Sequence, residues 1–154
     1  MMEILRLFMF AWKLLAVALG AGSARDAAIA YRFEIATACF NATEDRTERY
    51  VCMKIPRFES NYREDVGRCA IKGAAGEVTA WQILPRGAAD AARLCRSLDE
   101  DAVVAVERIR ESRKACAHLP PSEQLGTYAR GRCDSADGKR LSRHRWPYEQ
   151  EIPK

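Results

Sequence analysis

Six cysteines constrain the fold of this 154-residue chain more than any other feature. They are spread along the sequence without a C-x-x-C pair, at Cys39, Cys52, Cys69, Cys95, Cys116 and Cys133. An even number at such spacings is typical of three disulfides formed in an oxidising compartment. Zinc sites use closer ligand pairs and the chain has only two histidines, so we expect no metal site. Of the pairings, we predict only Cys116 with Cys133, because they bracket a short segment that folds back.

The N-terminal segment favours export. Lys13 precedes an apolar run from Leu14 to Leu19, and small residues follow through Ala24, which is the pattern of a secretory signal. We therefore predict a signal peptide over residues 1–24, with a membrane anchor as the alternative. The apolar stretch is interrupted by charges and is shorter than the about 18 residues of a spanning helix. If the signal is cleaved, the protein is periplasmic or extracellular and has no stable membrane association.

Composition indicates a single globular domain. Hydrophobic residues make up 48% of the chain and charged residues 30%, an ordinary balance for a folded protein. The net charge is only +4 and the basic residues are scattered, so we expect no nucleic-acid partner. The domain should span residues 25–140, and residues 141–154 should form a polar C-terminal tail over the surface. Nothing in the sequence predicts the oligomeric state.

Hydrophobic periodicity after the signal predicts a mainly α, disulfide-stabilised domain. Three segments carry apolar residues at helical spacing: 26–40, 44–55 and 97–118. Ser97 and Glu100 form a capping box at the start of the third segment. Pro56 should kink or end the second helix. Glycines between residues 67 and 76 predict a loop, and Gly131 should end a short helix.

Three separated segments carry side chains suited to chemistry. Glu59-Ser60 lies at a helix end, Gly73-Ala74-Ala75-Gly76 leads to Gln82 and Pro85, and Tyr128 lies on a helix ending at Gly131. Their order and spacing resemble the soluble lytic transglycosylase and goose-type lysozyme superfamily. The resemblance covers about residues 45 to 135. It implies a lysozyme-like, SLT-type catalytic domain that acts on peptidoglycan glycan strands and uses no cofactor.

The resemblance implies that Glu59 is the general acid and base. It would protonate the β-1,4 bond between N-acetylmuramic acid and N-acetylglucosamine. It would then take the proton of the sugar's own C6 hydroxyl as a 1,6-anhydro ring closes without water. An apolar wall raises the pKa of a carboxyl group because it disfavours the anion. Phe58 and Tyr128 could supply that wall, and Ser60 could orient the acid.

Side chains near the acid offer contacts for a sugar. Gln82 carries a donor and an acceptor for a sugar amide or hydroxyl. Tyr128 could contact the substrate from a helix rim. Trp81 could stack on a sugar face, although burial in the core is at least as compatible with its surroundings.

The reaction outcome is open, because hydrolysis requires a second carboxylate to position water. Glu77 is the main candidate, since residues 77–80 are additional to the family's usual Gly-to-Gln spacing. Asp65 and Asp90 are further candidates. The protein is therefore expected to be a lytic transglycosylase, with a lysozyme-type hydrolase as the alternative. A non-catalytic, secreted peptidoglycan-binding protein is the other alternative, because the basic charge, the tryptophans and the disulfides would serve it equally well.

Overall fold

The computed structural model describes residues 24 to 146. Its helices, in chain order, are α1 (Ala24–Ala42), α2 (Arg46–Glu59), α3 (Glu64–Gly67), α4 (Gly87–Arg93), α5 (Leu98–Ala115), a 3-10 helix (Pro121–Glu123), α6 (Gly126–Arg130) and α7 (Ala136–Arg145). Within this range the extended pairing is one antiparallel bridge between Val78 and Ile83. The predicted mainly α class is confirmed. No helix among residues 24–146 is both long and apolar enough to cross a membrane.

The core forms where α1 and α2 pack against α5. Aliphatic side chains of the three helices fill it, with Ile35, Val51, Ile55, Val104 and Ile109 each at most 1% exposed. Burial of one such side chain contributes roughly 1.5–3 kcal/mol. Trp81 reaches this core from the segment before α4 and is fully buried.

The three disulfides join cysteines that are 13, 26 and 17 positions apart in the sequence. Cys39–Cys52 links α1 to α2, and Cys116–Cys133 links the end of α5 to the turn before α7. Cys69–Cys95 closes the segment from 70 to 94, which is non-helical except for α4. The predicted pairing of Cys116 with Cys133 is confirmed.

Helix α2 continues through Pro56 to Glu59, so the proline does not end the helix. Proline has no N–H for the carbonyl four residues earlier, which belongs to Cys52. That carbonyl accepts instead from the indole nitrogen of Trp81 at 2.9 Å. The carbonyl of Pro56 accepts from the backbone N–H of Ser60 at 3.1 Å. These two hydrogen bonds allow the helix to continue for three residues after the proline, and its last residue is Glu59.

The chain is helical from Ala136 to Arg145, where a surface tail was expected from residue 141. The side chain of Ser135 accepts from the backbone N–H of Gly138 at 3.0 Å and begins α7. The buried hydroxyl of Ser142 accepts from the N–H of Leu125 and donates to the carbonyl of Ser122, both at 2.8 Å. The domain therefore extends at least to Arg145, beyond the predicted boundary at 140. The predicted signal peptide, except Ala24, and residues 147–154 of the predicted tail lie outside the described residues.

Candidate active site

A cavity of about 680 Å³ lies between the end of α2, helices α5 to α7 and the segment before α4. Residues from all three sequence segments line it, namely Glu59, Gly73, Ala74, Glu77, Gln82, Tyr128 and Gly131. The structure therefore brings residues of the three segments to one cavity.

Glu59 is paired with an arginine that the sequence did not indicate. Its Oε1 accepts from the Nε of Arg145 at 2.7 Å and also from an Nη of the same guanidinium. The side chains of Arg145 and Glu59 are 9% and 20% exposed, so water screens the pair only partly. Of the two aromatic residues expected beside Glu59, Tyr128 lines the cavity and Phe58 does not. The Phe58 side chain is 43% exposed, and its ring lies 6.3 Å from that of His144.

Tyr128 is held by hydrogen bonds to two of the elements that form the cavity. Its backbone N–H donates to the buried Ser112 hydroxyl of α5 at 3.1 Å. Its own hydroxyl donates to the carbonyl of Trp81 at 2.8 Å. Burial first, and the nearby Glu59 carboxylate second, raise the pKa of Tyr128 well above its usual value. Tyr128 is therefore a neutral hydrogen-bond donor that ties α6 to the segment carrying Gln82.

Glu77 is positioned by a glycine turn. Its carboxylate accepts from the backbone N–H of Ala75 at 2.9 Å, and its carbonyl accepts from the N–H of Gly73 at 2.8 Å. A Cβ atom on Gly73 would lie 2.3 Å from the Glu77 carboxylate and 2.8 Å from the Gln82 amide oxygen. Gly73 therefore lets both side chains approach the same wall of the cavity. The Nε2 of Gln82 donates to the carbonyl of Thr79 at 3.0 Å.

Four other sequence candidates, namely Trp81, Ser60, Asp65 and Asp90, do not line the cavity. Trp81 is fully buried, so it has no face to stack on a sugar. The hydroxyl of Ser60 is buried and donates to the carbonyl of Pro56 at 3.1 Å, rather than orienting the acid. Asp65 forms an exposed ion pair with Arg63, whose hydrogen bond lowers the pKa of the Asp65 carboxyl.

Asp90, the fourth of these candidates, belongs to a charge cluster beside the cavity. It accepts from the backbone N–H of Arg86 at 2.9 Å and pairs with Arg108. Arg86 and Arg108 in turn bind Glu111, at 2.6 and 3.0 Å. Burial alone would raise the pKa of Glu111, but the hydrogen bonds from these arginines lower it overall. Sequence reasoning missed this cluster, since an arginine and a glutamate three residues apart on α5 are typical of a solvated helix surface.

The polar side chains that line the cavity carry carboxyl, amide, phenol, guanidinium and hydroxyl groups. No cluster of three or more histidine, cysteine, aspartate or glutamate side chains that could hold a metal ion occurs between residues 24 and 146. Comparisons with protein-family models, curated proteins and solved structures find no match to this chain.

Proposed function

We propose that this protein is an exported, lysozyme-like enzyme that cleaves the β-1,4 bond between N-acetylmuramic acid and N-acetylglucosamine in peptidoglycan. The observation that carries the proposal is that Glu59, Gln82 and Tyr128, far apart in the sequence, line one cavity. Its volume falls within the roughly 300–1,000 Å³ that is usual for small-ligand sites. Three disulfides support export, because such bonds persist in oxidising compartments.

The proposed reaction is a lytic transglycosylation with one acid. Protonated Glu59 gives its proton to the glycosidic oxygen as the bond from that oxygen to the sugar C1 breaks. The C6 oxygen of the same sugar then bonds to C1, and its proton passes to Glu59, which is protonated again. No water is consumed, and the product has a 1,6-anhydro end. Gln82 offers its amide to a sugar acetamido or hydroxyl group.

Hydrolysis in the manner of lysozyme is a second candidate, and Glu77 is the observation that favours it. Its carboxylate lines the same cavity as Glu59. A second carboxylate can position and deprotonate water, which would then attack C1 in place of the C6 oxygen. The products would have reducing ends.

A non-catalytic peptidoglycan-binding protein is the third candidate, favoured by the ion pair between Glu59 and Arg145. In this pair, one oxygen of the Glu59 carboxylate is already occupied by two hydrogen bonds from Arg145. The same cavity, with its amide and arginine side chains, would still offer hydrogen bonds to a glycan.

Product analysis distinguishes the three candidates. Purified cell wall is incubated with the wild type, with Glu59→Gln and with the control Glu64→Gln, which removes an exposed carboxylate paired with Arg68. We expect soluble fragments from the wild type and the control, no fragments from Glu59→Gln, and unchanged circular dichroism in all three. Mass spectrometry then separates anhydro ends from reducing ends. Undiminished release by Glu59→Gln would refute the proposed role of this residue, and saturable wall binding without release would favour the non-catalytic candidate.

A further inference from the structure

Helix α1 carries apolar side chains on the side that faces away from the core. Its inner side holds Tyr31 and Ile35, both of them buried. On its outer side Ile29, Phe33 and Phe40 are 43%, 51% and 39% exposed. They are three of the six large hydrophobic side chains that are exposed between residues 24 and 146. Such a concentration on one element is typical of an interaction surface.

The exposed side chains form a straight stripe along α1. Ile29, Phe33, Ala36 and Phe40 follow one another at intervals of four, three and four positions. In an α-helix these four positions lie within a sector of about 60°. The same spacing forms the seam between two paired helices. We call these four residues the α1 stripe.

The charged residues beside the α1 stripe are engaged within the protein. Between residues 27 and 41, α1 has two charged side chains, Arg32 and Glu34. The Arg32 guanidinium lies 4.8 Å from the centre of the Tyr62 ring, and Glu34 accepts from Arg68 at 3.0 Å. A helix that binds a membrane surface is typically rich in lysine and arginine, whereas α1 contains no lysine. An uncharged stripe is best matched by another uncharged stripe, and a second copy of the chain supplies one.

We propose that the α1 stripe pairs with the α1 stripe of a second copy, antiparallel and related by a two-fold axis. In the register centred between residues 34 and 35, Phe33 of each copy faces Ala36 of the other, and Ile29 faces Phe40. A large side chain then meets a small one at the centre, which lets the two helices interdigitate. Parallel pairing would instead place Phe33 against Phe33 and Ala36 against Ala36. The antiparallel contact is self-complementary, as a two-fold interface requires.

The size of the stripe predicts a weak, reversible dimer. Its three large side chains are about half exposed, so pairing removes roughly 300 Å² of their surface per copy. With the flanking residues the interface totals roughly 800–1,000 Å², which is below the standard size and fits a dissociation constant of about 10–100 μM. The described residues that line the Glu59 cavity come from elements other than α1. Pairing therefore leaves both cavities open, and the inference does not depend on the proposed function.

The test measures self-association of the exported protein that accumulates when the full chain is expressed. Sedimentation from micromolar to millimolar concentration compares the wild type with Phe33→Glu and Ile29→Glu, which place a charge in the stripe. Phe58→Glu is the matched control, because Phe58 is a similarly exposed phenylalanine on α2. We expect the wild type and the control to dimerise alike. Each stripe variant should raise the dissociation constant at least about tenfold and keep the helical circular dichroism spectrum.

Photo-crosslinking tests the antiparallel orientation. A benzoylphenylalanine replaces Phe40, and the crosslinked dimer is digested and sequenced by mass spectrometry. Antiparallel pairing should attach this side chain to the peptide around Ile29 of the second copy. Attachment around residue 40 of the second copy would overturn the proposed arrangement.

Three sedimentation and binding results would overturn self-pairing through the stripe. The first is a wild type that stays monomeric at millimolar concentration. The second is equal weakening of the dimer by Phe33→Glu and Phe58→Glu. The third is a monomer that binds phosphatidylglycerol vesicles and loses this binding in Phe33→Glu, because a membrane would then cover the stripe. Failure of the protein to cleave cell wall leaves these measurements unchanged, so it bears on the proposed function alone.

Discussion

The indole nitrogen of Trp81 donates to the carbonyl oxygen of Cys52 at 2.9 Å, and Pro56 leaves that oxygen available. In an uninterrupted α2 the N–H of residue 56 would occupy it. The proline removes one helical hydrogen bond, and the tryptophan replaces it with a bond between α2 and the segment before α4. Pro56 therefore helps to position the wall of the cavity that carries Gln82.

This relationship predicts non-additive stability effects of Trp81→Phe and Pro56→Ala. Trp81→Phe leaves the buried carbonyl of Cys52 without a donor, which costs about 1–3 kcal/mol in addition to the lost packing. Pro56→Ala restores a backbone N–H to the same carbonyl. We expect the double variant to be about 1 kcal/mol more stable than the sum of the single effects, measured by urea unfolding of all four proteins. Additivity within about 0.5 kcal/mol would contradict the shared acceptor.

Tyr128→Phe tests the bond between α6 and the segment before α4. It removes the donor to the Trp81 carbonyl, so we expect a loss of about 1–2 kcal/mol in unfolding free energy. Under the proposed function, wall cleavage should also fall, because Gln82 lies on the freed segment. The matched control is Tyr62→Phe, whose hydroxyl donates to the Met53 carbonyl at 3.1 Å outside the cavity. The control should lose similar stability and keep its activity; an equal loss of activity in both variants would show that the effect is general destabilisation.

Gly73→Ala tests whether the close approach of the Glu77 carboxylate to the backbone of Gly73 is needed for activity. The new methyl group would lie 2.3 Å from the Glu77 carboxylate, which can move aside because it ends a flexible side chain. We expect less than about 1 kcal/mol loss in stability but a clear fall in wall cleavage or glycan binding. Gly76→Ala is the comparison, because it adds a methyl group in open space at φ +91°. Its strained backbone should cost about 1–2 kcal/mol in chemical unfolding with little change in the position of Glu77.

The helices and one disulfide could be predicted because their signals are local. Ser97 caps α5 as expected, accepting from the N–H of Glu100 at 3.2 Å, and Gly131 adopts a left-handed conformation after α6. Cys116 and Cys133 are 17 positions apart and bracket two short helices, between which the chain folds back. Such features depend on a few neighbouring residues, which the sequence displays directly.

Arg145 could not be predicted, because no local pattern marks it. Helix α7 contains few apolar residues, and its attachment depends on the Ser142 hydroxyl instead of an apolar stripe. Its basic residues are therefore indistinguishable in the sequence from a solvated tail. The partner of Arg145 is 86 positions away. The sequence is compatible with either an exposed or a buried Trp81. Its indole is buried because its nitrogen donates to the Cys52 carbonyl, which Pro56 leaves without a helical donor.

The buried carboxyl group of Asp101 should make the stability of the folded protein depend on pH. Its carboxyl group is 2% exposed in the first turn of α5, and burial raises its pKa to about 6 despite a hydrogen bond from the Cys95 N–H. An unfolded aspartate titrates near about 3.9. The folded state binds the Asp101 proton more tightly than the unfolded state does. The stability gained from this proton is therefore complete below the pKa of the unfolded aspartate, and it is lost as the pH rises through about 6.

Asp101→Asn should therefore be more stable than the wild type near pH 7.5, by up to roughly 2–3 kcal/mol. The difference should shrink as pH falls and vanish near pH 4. Chemical unfolding of both proteins from pH 4 to 8 measures it, and the comparison cancels the carboxylates whose pKa is lowered, such as Asp65 and Asp137. A difference that does not vary with pH would contradict the raised pKa.

The disulfides should differ in their resistance to reduction. Cys39, Cys52 and Cys116 are fully buried, whereas Cys95 is exposed and Cys69 is partly exposed. Mild reduction followed by thiol alkylation and mass spectrometry should therefore label Cys69 and Cys95 first. Their bond closes the segment that carries Glu77 and Gln82. Replacing both cysteines by serine should cost roughly 3–4 kcal/mol by loop entropy and reduce wall cleavage while the far-ultraviolet spectrum stays helical. Earlier labelling of Cys39 or Cys52 would contradict the order set by burial.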